Sequence, residues 1–204
     1  MIKKILWILA IVLAISIGLY PSIYFFMDRK FGLLSSKGEE LLANVLWNSA
    51  FYTHIILGGI ALLIGWIQFN TRFRDKNLKL HRQIGLVYVT TVWISALAGI
   101  YIGFYATGGF IAASGFVSLG VVWFGTTFMA FQHIKNNRVE QHQAMMIYSY
   151  ATCFAAVTLR IWLPLLISIT GDFFIAYPIV AWLCWVPNLI VANLIVKSMV
   201  PQTS

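Results

Sequence analysis

Charged residues are scarce in this chain. They make up 10% of its 204 residues, whereas about a quarter of a typical soluble domain is charged. Hydrophobic residues make up 60%, and the mean hydropathy is +0.84. Because so few polar side chains cannot cover a soluble domain of this size, the composition excludes a soluble protein and predicts one compact bundle in a membrane.

Familiar catalytic and metal-binding motifs are missing too. Cys153 and Cys184 stand alone in apolar runs, without Cys-x-x-Cys spacing, and are expected to be small core residues. The absence of His-Glu-x-x-His argues against a zinc protease. The absence of Gly-x-x-x-x-Gly-Lys argues against ATP use by this chain alone.

Apolar runs are long enough to span a bilayer, which takes about 20 residues of helix. They cover residues 5–27, 47–69, 84–106, 110–132, 144–169 and 173–196. A helix satisfies its own backbone hydrogen bonds in lipid, and the short alternating segments of a β-barrel are absent from the sequence. The predicted fold class is therefore an all-α integral membrane bundle of six transmembrane helices.

The first apolar run begins like a secretory signal peptide, with Lys3 and Lys4 ahead of it. The run is too long for a signal-peptide core, and bulky residues occupy 20–24, where small residues should mark a cleavage site. We therefore expect an uncleaved amino-terminal transmembrane helix over residues 1–30. A five-helix membrane core is expected over residues 47–200.

Basic residues distribute unequally between the two sides of these spans. With the amino terminus inside, ten face the cytoplasm: Lys3, Lys4, Arg72, Arg74, Lys76, Lys79, Arg82, Lys135, Arg138 and Lys197. Only Arg29, Lys30 and Lys37 face outward. The positive-inside rule then places both termini in the cytoplasm. Topology and the lipid bilayer thus explain most of the net charge of +8, and no nucleic-acid partner is expected.

Ionisable residues within apolar spans are costly and mark function by default. His54 and Arg160 both fall in the outer part of the membrane, where they could meet. His81, His133 and His142 fall together at the cytoplasmic ends of their helices. A non-functional interpretation is that these histidines lie at the membrane–water interface because that environment accommodates them. Arg160 would then reach headgroup phosphate or pair with Asp172.

Imidazoles on neighbouring helices can also clamp a haem iron or bind zinc or copper, and an arginine can hold a propionate or an anionic substrate. A bis-histidine haem needs two ligands at one depth, which only the cytoplasmic side offers. By depth alone, the metal-ligand hypothesis therefore falls on the cytoplasmic histidines His81, His133 and His142.

These residues fall within a larger pattern of short motifs. It comprises His54 with Gly58 and Gly59, Gln68, HRQIGLVY at 81–88, GGF at 108–110, GF at 115–116, Trp123, His142, AAVTLR at 155–160 and AWLCWVPNL at 181–189. In this combination the chain resembles a bacterial membrane-protein family, domain of unknown function 2306, over residues 47–197. The resemblance implies a multi-pass helical bundle in the bacterial inner membrane and no settled activity. His54, His81 and His142 are the histidines that it carries over, whereas His133 lies outside its pattern. The resemblance thus implies His81 and His142 as the candidate metal ligands.

The stretch RFRDKNLKLHRQIG, residues 72–85, holds five of the fourteen basic residues. A topology signal explains its lysines and arginines. His81, Gly85 and Tyr88, however, share one helical face, on which a histidine and a tyrosine hydroxyl could line a polar pocket. We expect this face to point into the bundle toward His142.

Two functions remain open from the sequence. The first is a redox bundle that binds haem b or a quinone, with cofactor-binding residues His54, His81, Tyr88, His142 and Arg160. The second is a non-catalytic accessory or assembly subunit of a larger membrane complex. A small transporter is less well supported, because the spans show no inverted repeat and almost no acidic residue.

Overall fold

The computed structural model describes residues 2–27 and 31–199, and in these ranges the chain forms helices and no strand. The α-helices are α1 (Ile2–Leu19), α2 (Glu39–Ala43), α3 (Val45–Gly65), α4 (Thr71–Lys76), α5 (Leu78–Gly103), α6 (Gly109–Lys135), α7 (Val139–Cys153), α8 (Ala155–Thr170), α9 (Phe173–Leu183) and α10 (Val186–Met199). Short 3-10 helices cover Tyr20–Phe25, Gly32–Ser36 and Trp66–Phe69. The predicted all-α fold is confirmed.

Within the described ranges, six helical stretches are long and apolar enough to cross a membrane, as the sequence predicted. They are Lys4–Phe25, Val45–Phe69, Leu78–Gly103, Gly109–Lys135, Val139–Thr170 and Phe173–Met199. Their outer surfaces carry many exposed aliphatic side chains, such as Leu86, Ile94 and Leu194. The protein therefore contacts lipid along these spans.

The last two spans are interrupted, which the apolar pattern did not reveal. The fifth is broken for one residue at Phe154, between α7 and α8. The sixth is broken at Cys184 and Trp185, between α9 and α10. Pro187 explains the second break, because its ring clashes with the carbonyl of Leu183, four residues earlier, where α9 ends.

Two segments expected to be loops contain helix. α4 and the first turns of α5 make most of the stretch 72–85 helical, so the predicted start of the third span at residue 84 was wrong by about two turns. Apolar runs mark the part of a helix that lies in lipid, whereas this helix continues with charged residues beyond it. Residues 31–44 also fold back onto the bundle, where Leu34 and Leu42 are buried.

The bundle has two ends, which we name by their residues. The basic end carries α4, the start of α5 and the end of α6, with Arg72, Arg74, Lys76 and Lys135 among its residues. The opposite end carries residues 31–44 and the turn after α5. The Trp7 and Phe69 rings meet edge to face, with centroids 6.2 Å apart, so the start of α1 lies at the basic end.

Close packing at the centre depends on small residues. A Cβ added at Gly59 of α3 would lie 2.7 Å from the Gly18 carbonyl oxygen of α1, so these two backbones are in direct contact. Ala61, Ala96 and Ala130 are completely buried where α3, α5 and α6 pack together. Close approach of backbones at small residues is the usual basis of helix packing in lipid.

Candidate functional site

A cavity of about 220 Å³ lies between the helices, in the half of the bundle nearer the opposite end. Most of its lining is apolar. Its ionisable lining residues are Tyr24, Lys37, His54, Cys153, Arg160 and Tyr177. The cavity is thus an apolar chamber that brings two formal cations together, and no carboxylate lines it among the residues that the structure describes.

His54 is fixed by its neighbours on α5. Its Nδ1 lies 3.0 Å from the Ser95 carbonyl oxygen, and the Ser95 hydroxyl donates to the His54 carbonyl oxygen at 2.9 Å. A carbonyl only accepts, so Nδ1 must be the donor, and in the neutral ring Nε2 then carries the lone pair. His54, which lines the cavity, can therefore accept a hydrogen bond at Nε2.

Gly99 provides the space for this ring. A Cβ at residue 99 would lie 2.7 Å from His54 Nδ1 and 2.9 Å from Cε1. Real Cβ contacts are not that short, so any side chain at residue 99 would displace the imidazole. Gly99 thus accommodates the ring of His54.

Arg160 lines the same cavity from α8. Its Nη1 donates to the Ala156 carbonyl oxygen at 2.8 Å, and its guanidinium lies 4.4 Å from the centroid of the Tyr20 ring. In the described ranges Arg74 forms an ion pair with Asp75, and Arg160 has no carboxylate partner there. Asp172, a partner considered from the sequence, instead caps α9 by accepting from the Phe174 N–H at 2.7 Å.

Lys37 is the cavity residue that sequence reasoning missed as a site residue, since it was counted only as an outward-facing charge. Its Nζ donates to the Tyr105 carbonyl oxygen and, at 3.0 Å, to Thr107 Oγ1. Burial lowers the pKa of Lys37 from 10.5 to about 8. Its position as a lone cation between the apolar pairs at 33–34 and 41–42 was the available signal that it turns toward the bundle.

The structure brings His54 and Arg160 together in this cavity and places His81 and His142 at the basic end, outside its lining. His142 Nδ1 lies 2.9 Å from the Ala130 carbonyl oxygen. His81 Nδ1 is buried without a hydrogen-bond partner, and His81 is near enough to His142 to interact with it electrostatically.

Tyr88 lies between the cavity and the two histidines at the basic end. It does not line the cavity and is not exposed to solvent. Its ring is fully buried, and its hydroxyl lies 2.9 Å from Ser149 Oγ, which lies 2.6 Å from Thr127 Oγ1. The Tyr88 hydroxyl therefore links α5 to α7 and α6. A cofactor-binding role for Tyr88 stays a prediction.

Metal ligation also stays a prediction. Among the described residues, no three His, Cys, Asp or Glu side chains group closely enough to hold an ion. His81 and His142 are thus at most two protein ligands. Two histidines on separate helices would still be enough protein ligands to hold a haem iron.

Comparison with known proteins identifies a family. The family model described as a predicted membrane protein, DUF2306, matches residues 51–196 and confirms the resemblance seen in the sequence. No curated protein and no solved structure matches the chain.

Proposed function

Since the chain belongs to the DUF2306 family of predicted membrane proteins, we propose that it is a multi-pass protein of the bacterial inner membrane that binds a quinone in the cavity lined by His54 and Arg160. The volume of about 220 Å³ is below the roughly 300–1,000 Å³ usual for drug-sized ligands, so it suits a single or fused pair of rings. An isoprenoid tail would extend from the cavity into lipid.

The observation that carries the proposal is the convergence of Arg160, Lys37 and His54 on a chamber that is otherwise apolar. Quinone carbonyl oxygens are acceptors, and the guanidinium and ammonium groups supply donors. The apolar walls suit the ring. No carboxylate among the described lining residues offsets the positive charge of Lys37 and Arg160, which further favours a quinone that bears negative charge.

His54 gives the site its second kind of contact. Because Nδ1 is engaged by the Ser95 carbonyl, Nε2 can accept a hydrogen bond from a hydroxyl of the reduced ring. Donors for a quinone and an acceptor for a quinol therefore lie in one cavity.

Equilibrium binding to the purified protein in detergent tests this proposal. The probes are 1,4-naphthoquinone and its acidic 2-hydroxy derivative, and we expect the second to bind more tightly because it is an anion. Arg160→Gln should weaken its binding at least tenfold, which is about 1.4 kcal/mol. Arg138→Gln at the basic end is the matched control and should leave the affinity unchanged. Equal losses in the two variants, or no binding to the wild type, would contradict the proposal.

The alternative is a non-catalytic accessory or assembly subunit, in which the polar cavity residues only lock helices together. Under that alternative, Arg160→Gln lowers the thermal midpoint, and neither naphthoquinone raises it in the wild type. The quinone proposal requires a ligand-dependent rise in the wild type, because a ligand that binds only the folded state stabilises it.

A haem b between His81 and His142 is the other form of the redox hypothesis. It is supported by their electrostatic proximity and by the unpartnered His81 Nδ1. Protein expressed with ample haem should then show a Soret band that shifts on dithionite reduction. A colourless preparation would exclude haem b binding and would not affect the quinone proposal.

A further inference from the structure

We propose that the basic end holds a second, separate site, formed by Gln68, His81 and Arg82, that binds the phosphate group of an anionic phospholipid. It does not depend on the quinone proposal, because none of these residues lines the cavity. Two buried polar atoms, Gln68 Nε2 and His81 Nδ1, have no hydrogen-bond partner among the residues that the structure describes. Buried polar groups are normally paired, so two unpaired ones call for a ligand.

These two atoms belong to neighbouring side chains. Gly85 follows His81 by one turn of α5, so the two residues share a face. A Cβ at Gly85 would lie 3.3 Å from Gln68 Oε1, which places the Gln68 amide against this glycine. The absence of a side chain at residue 85 thus lets the Gln68 amide approach the face of α5 that carries His81.

The helix register brings His142 to the same place. Tyr88 and Ser149 are in contact, and His81 and His142 each precede them by seven residues, or about 10.5 Å along a helix. Since α5 and α7 both run from the basic end, the two histidines lie at one depth, two turns above this contact. His142, which acts electrostatically on His81, thus lies near the site.

The surroundings favour an anion over a metal cation. Arg74, Arg82 and His142 all act electrostatically on His81. Asp75 is paired with Arg74 at 2.9 Å, and Glu140, the acidic residue of the first turn of α7, is exposed. His81 and His142 are each the fourth residue of their helices, where the amino-terminal end of the helix dipole attracts negative charge. Amide, imidazole and guanidinium donors together suit phosphate oxygens.

Exposed apolar residues beside the site indicate that the phosphate belongs to a lipid. Leu78 and Leu80 are 49% and 44% exposed in the same turns of α5 as His81, and Val139 is 50% exposed at the start of α7. Exposed aliphatic side chains beside cationic ones are typical of the boundary between acyl chains and headgroups. A phospholipid can cover this apolar surface while its phosphate reaches Gln68 and His81.

Native mass spectrometry of the full chain in detergent tests the proposal, with phosphatidylglycerol and phosphatidylcholine as paired probes. We expect the wild type to prefer phosphatidylglycerol by about tenfold. Arg82→Gln should abolish most of that preference, and Gln68→Leu should reduce it. Lys79→Gln is the matched control: it removes one exposed charge from the same turn, and Lys79 is not among the groups acting on His81. It should keep the preference.

Competition with millimolar inorganic phosphate separates the two sources. Lipid that stays bound supports a lipid site, whereas displacement supports a site for free phosphate and overturns the choice of lipid. Equal loss in Arg82→Gln and Lys79→Gln would reduce the effect to general charge attraction and overturn the site. A Soret band that His81→Phe removes would also overturn it, because the histidines would then hold haem.

Discussion

Gly99 controls the position of His54, because a methyl group there would lie 2.7 Å from the ring nitrogen that donates to Ser95. We expect Gly99→Ala to displace the imidazole and to weaken naphthoquinone binding by about tenfold or more. Overpacking should also destabilise the protein by roughly 1–3 kcal/mol. Ligand titration and thermal unfolding of the same preparations measure the two effects.

Gly125→Ala is the control for this change. Gly125 also lies within a helix, α6, but a Cβ there would meet nothing within 4 Å. Since alanine is the better helix former, this variant should be as stable as the wild type or slightly more so, with unchanged binding. If Gly99→Ala behaves like Gly125→Ala, the assignment of His54 as a ligand-contacting residue is wrong.

Lys37 makes anion binding dependent on pH. With its pKa lowered by burial to about 8, it loses its proton as the pH rises through that value, while Arg160 stays charged. We therefore expect the affinity for 2-hydroxy-1,4-naphthoquinone, which is ionised throughout this range, to fall between pH 7 and 9, as titrations at each pH would measure. Lys37→Gln should bind more weakly at pH 7 and show a flat profile. A profile in Lys37→Gln as steep as in the wild type would exclude Lys37 as the cause.

The same group affects the empty protein in the other direction. A folded-state pKa below the unfolded value of 10.5 means that the unfolded chain binds more protons between about pH 8 and 10.5. The burial penalty of this ammonium group is thus fully present below about pH 8 and disappears as the pH rises. This contribution to stability therefore increases with pH in that window.

At the scale of elements, the two broken helices are joined by one polar group. Asn188 Nδ2 lies 3.2 Å from the Ala151 carbonyl oxygen, 3.0 Å from that of Cys184 and 3.2 Å from Thr158 Oγ1. Thr158 Oγ1 also donates to the Cys184 carbonyl oxygen. Carbonyl groups released at the breaks are therefore satisfied within the protein, as they must be in lipid.

Asn188→Leu should leave some of these carbonyl groups without donors. We expect a loss of about 1–3 kcal/mol in the free energy of unfolding and a lower thermal midpoint. Thr90→Val is the comparison, since the Thr90 hydroxyl is exposed and bonds only to carbonyl groups of its own helix. A stability loss in Asn188→Leu no greater than in Thr90→Val would show that the bridge between the breaks contributes little.

The sequence predicted the spans well because each is a long apolar run, and lipid requires that a run of this kind be a helix. It did not predict the break at Phe154, where no proline follows four residues later and the interruption depends on contacts between spans. Nor did it predict that residues 31–44 fold back. An apolar pattern looks the same whether the side chains are buried in lipid or in protein. The sequence therefore did not show that Leu34 and Leu42 pack against the protein.

The candidate site was predictable only in part, because the apolar pattern does not specify how the helices pack. His54 and Arg160 stand out as ionisable residues in apolar spans, and their depths follow from counting residues along each helix. Whether such residues share a cavity depends on how the helix faces turn toward each other, which a single sequence does not specify. Lys37 enters the cavity through the fold-back of its segment, which is a tertiary effect.

At the scale of the whole molecule, the orientation in the membrane is a prediction from the distribution of basic residues. Lys76→Cys at the basic end and Gly38→Cys at the opposite end test it, in a variant that lacks Cys153 and Cys184. In intact cells an impermeant thiol reagent should leave residue 76 unlabelled and label residue 38. The reverse pattern would place the basic end and both termini outside the cytoplasm.

Photolabelling tests the quinone proposal most directly. An azido-naphthoquinone is bound to the purified protein and irradiated, and the labelled peptides are identified by mass spectrometry. We expect label on the cavity walls of α3 near His54 or of α8 near Arg160, and loss of that label when excess 2-hydroxy-1,4-naphthoquinone is present. Label confined to residues 78–85 or 139–145, or spread over lipid-facing surfaces regardless of competitor, would contradict it.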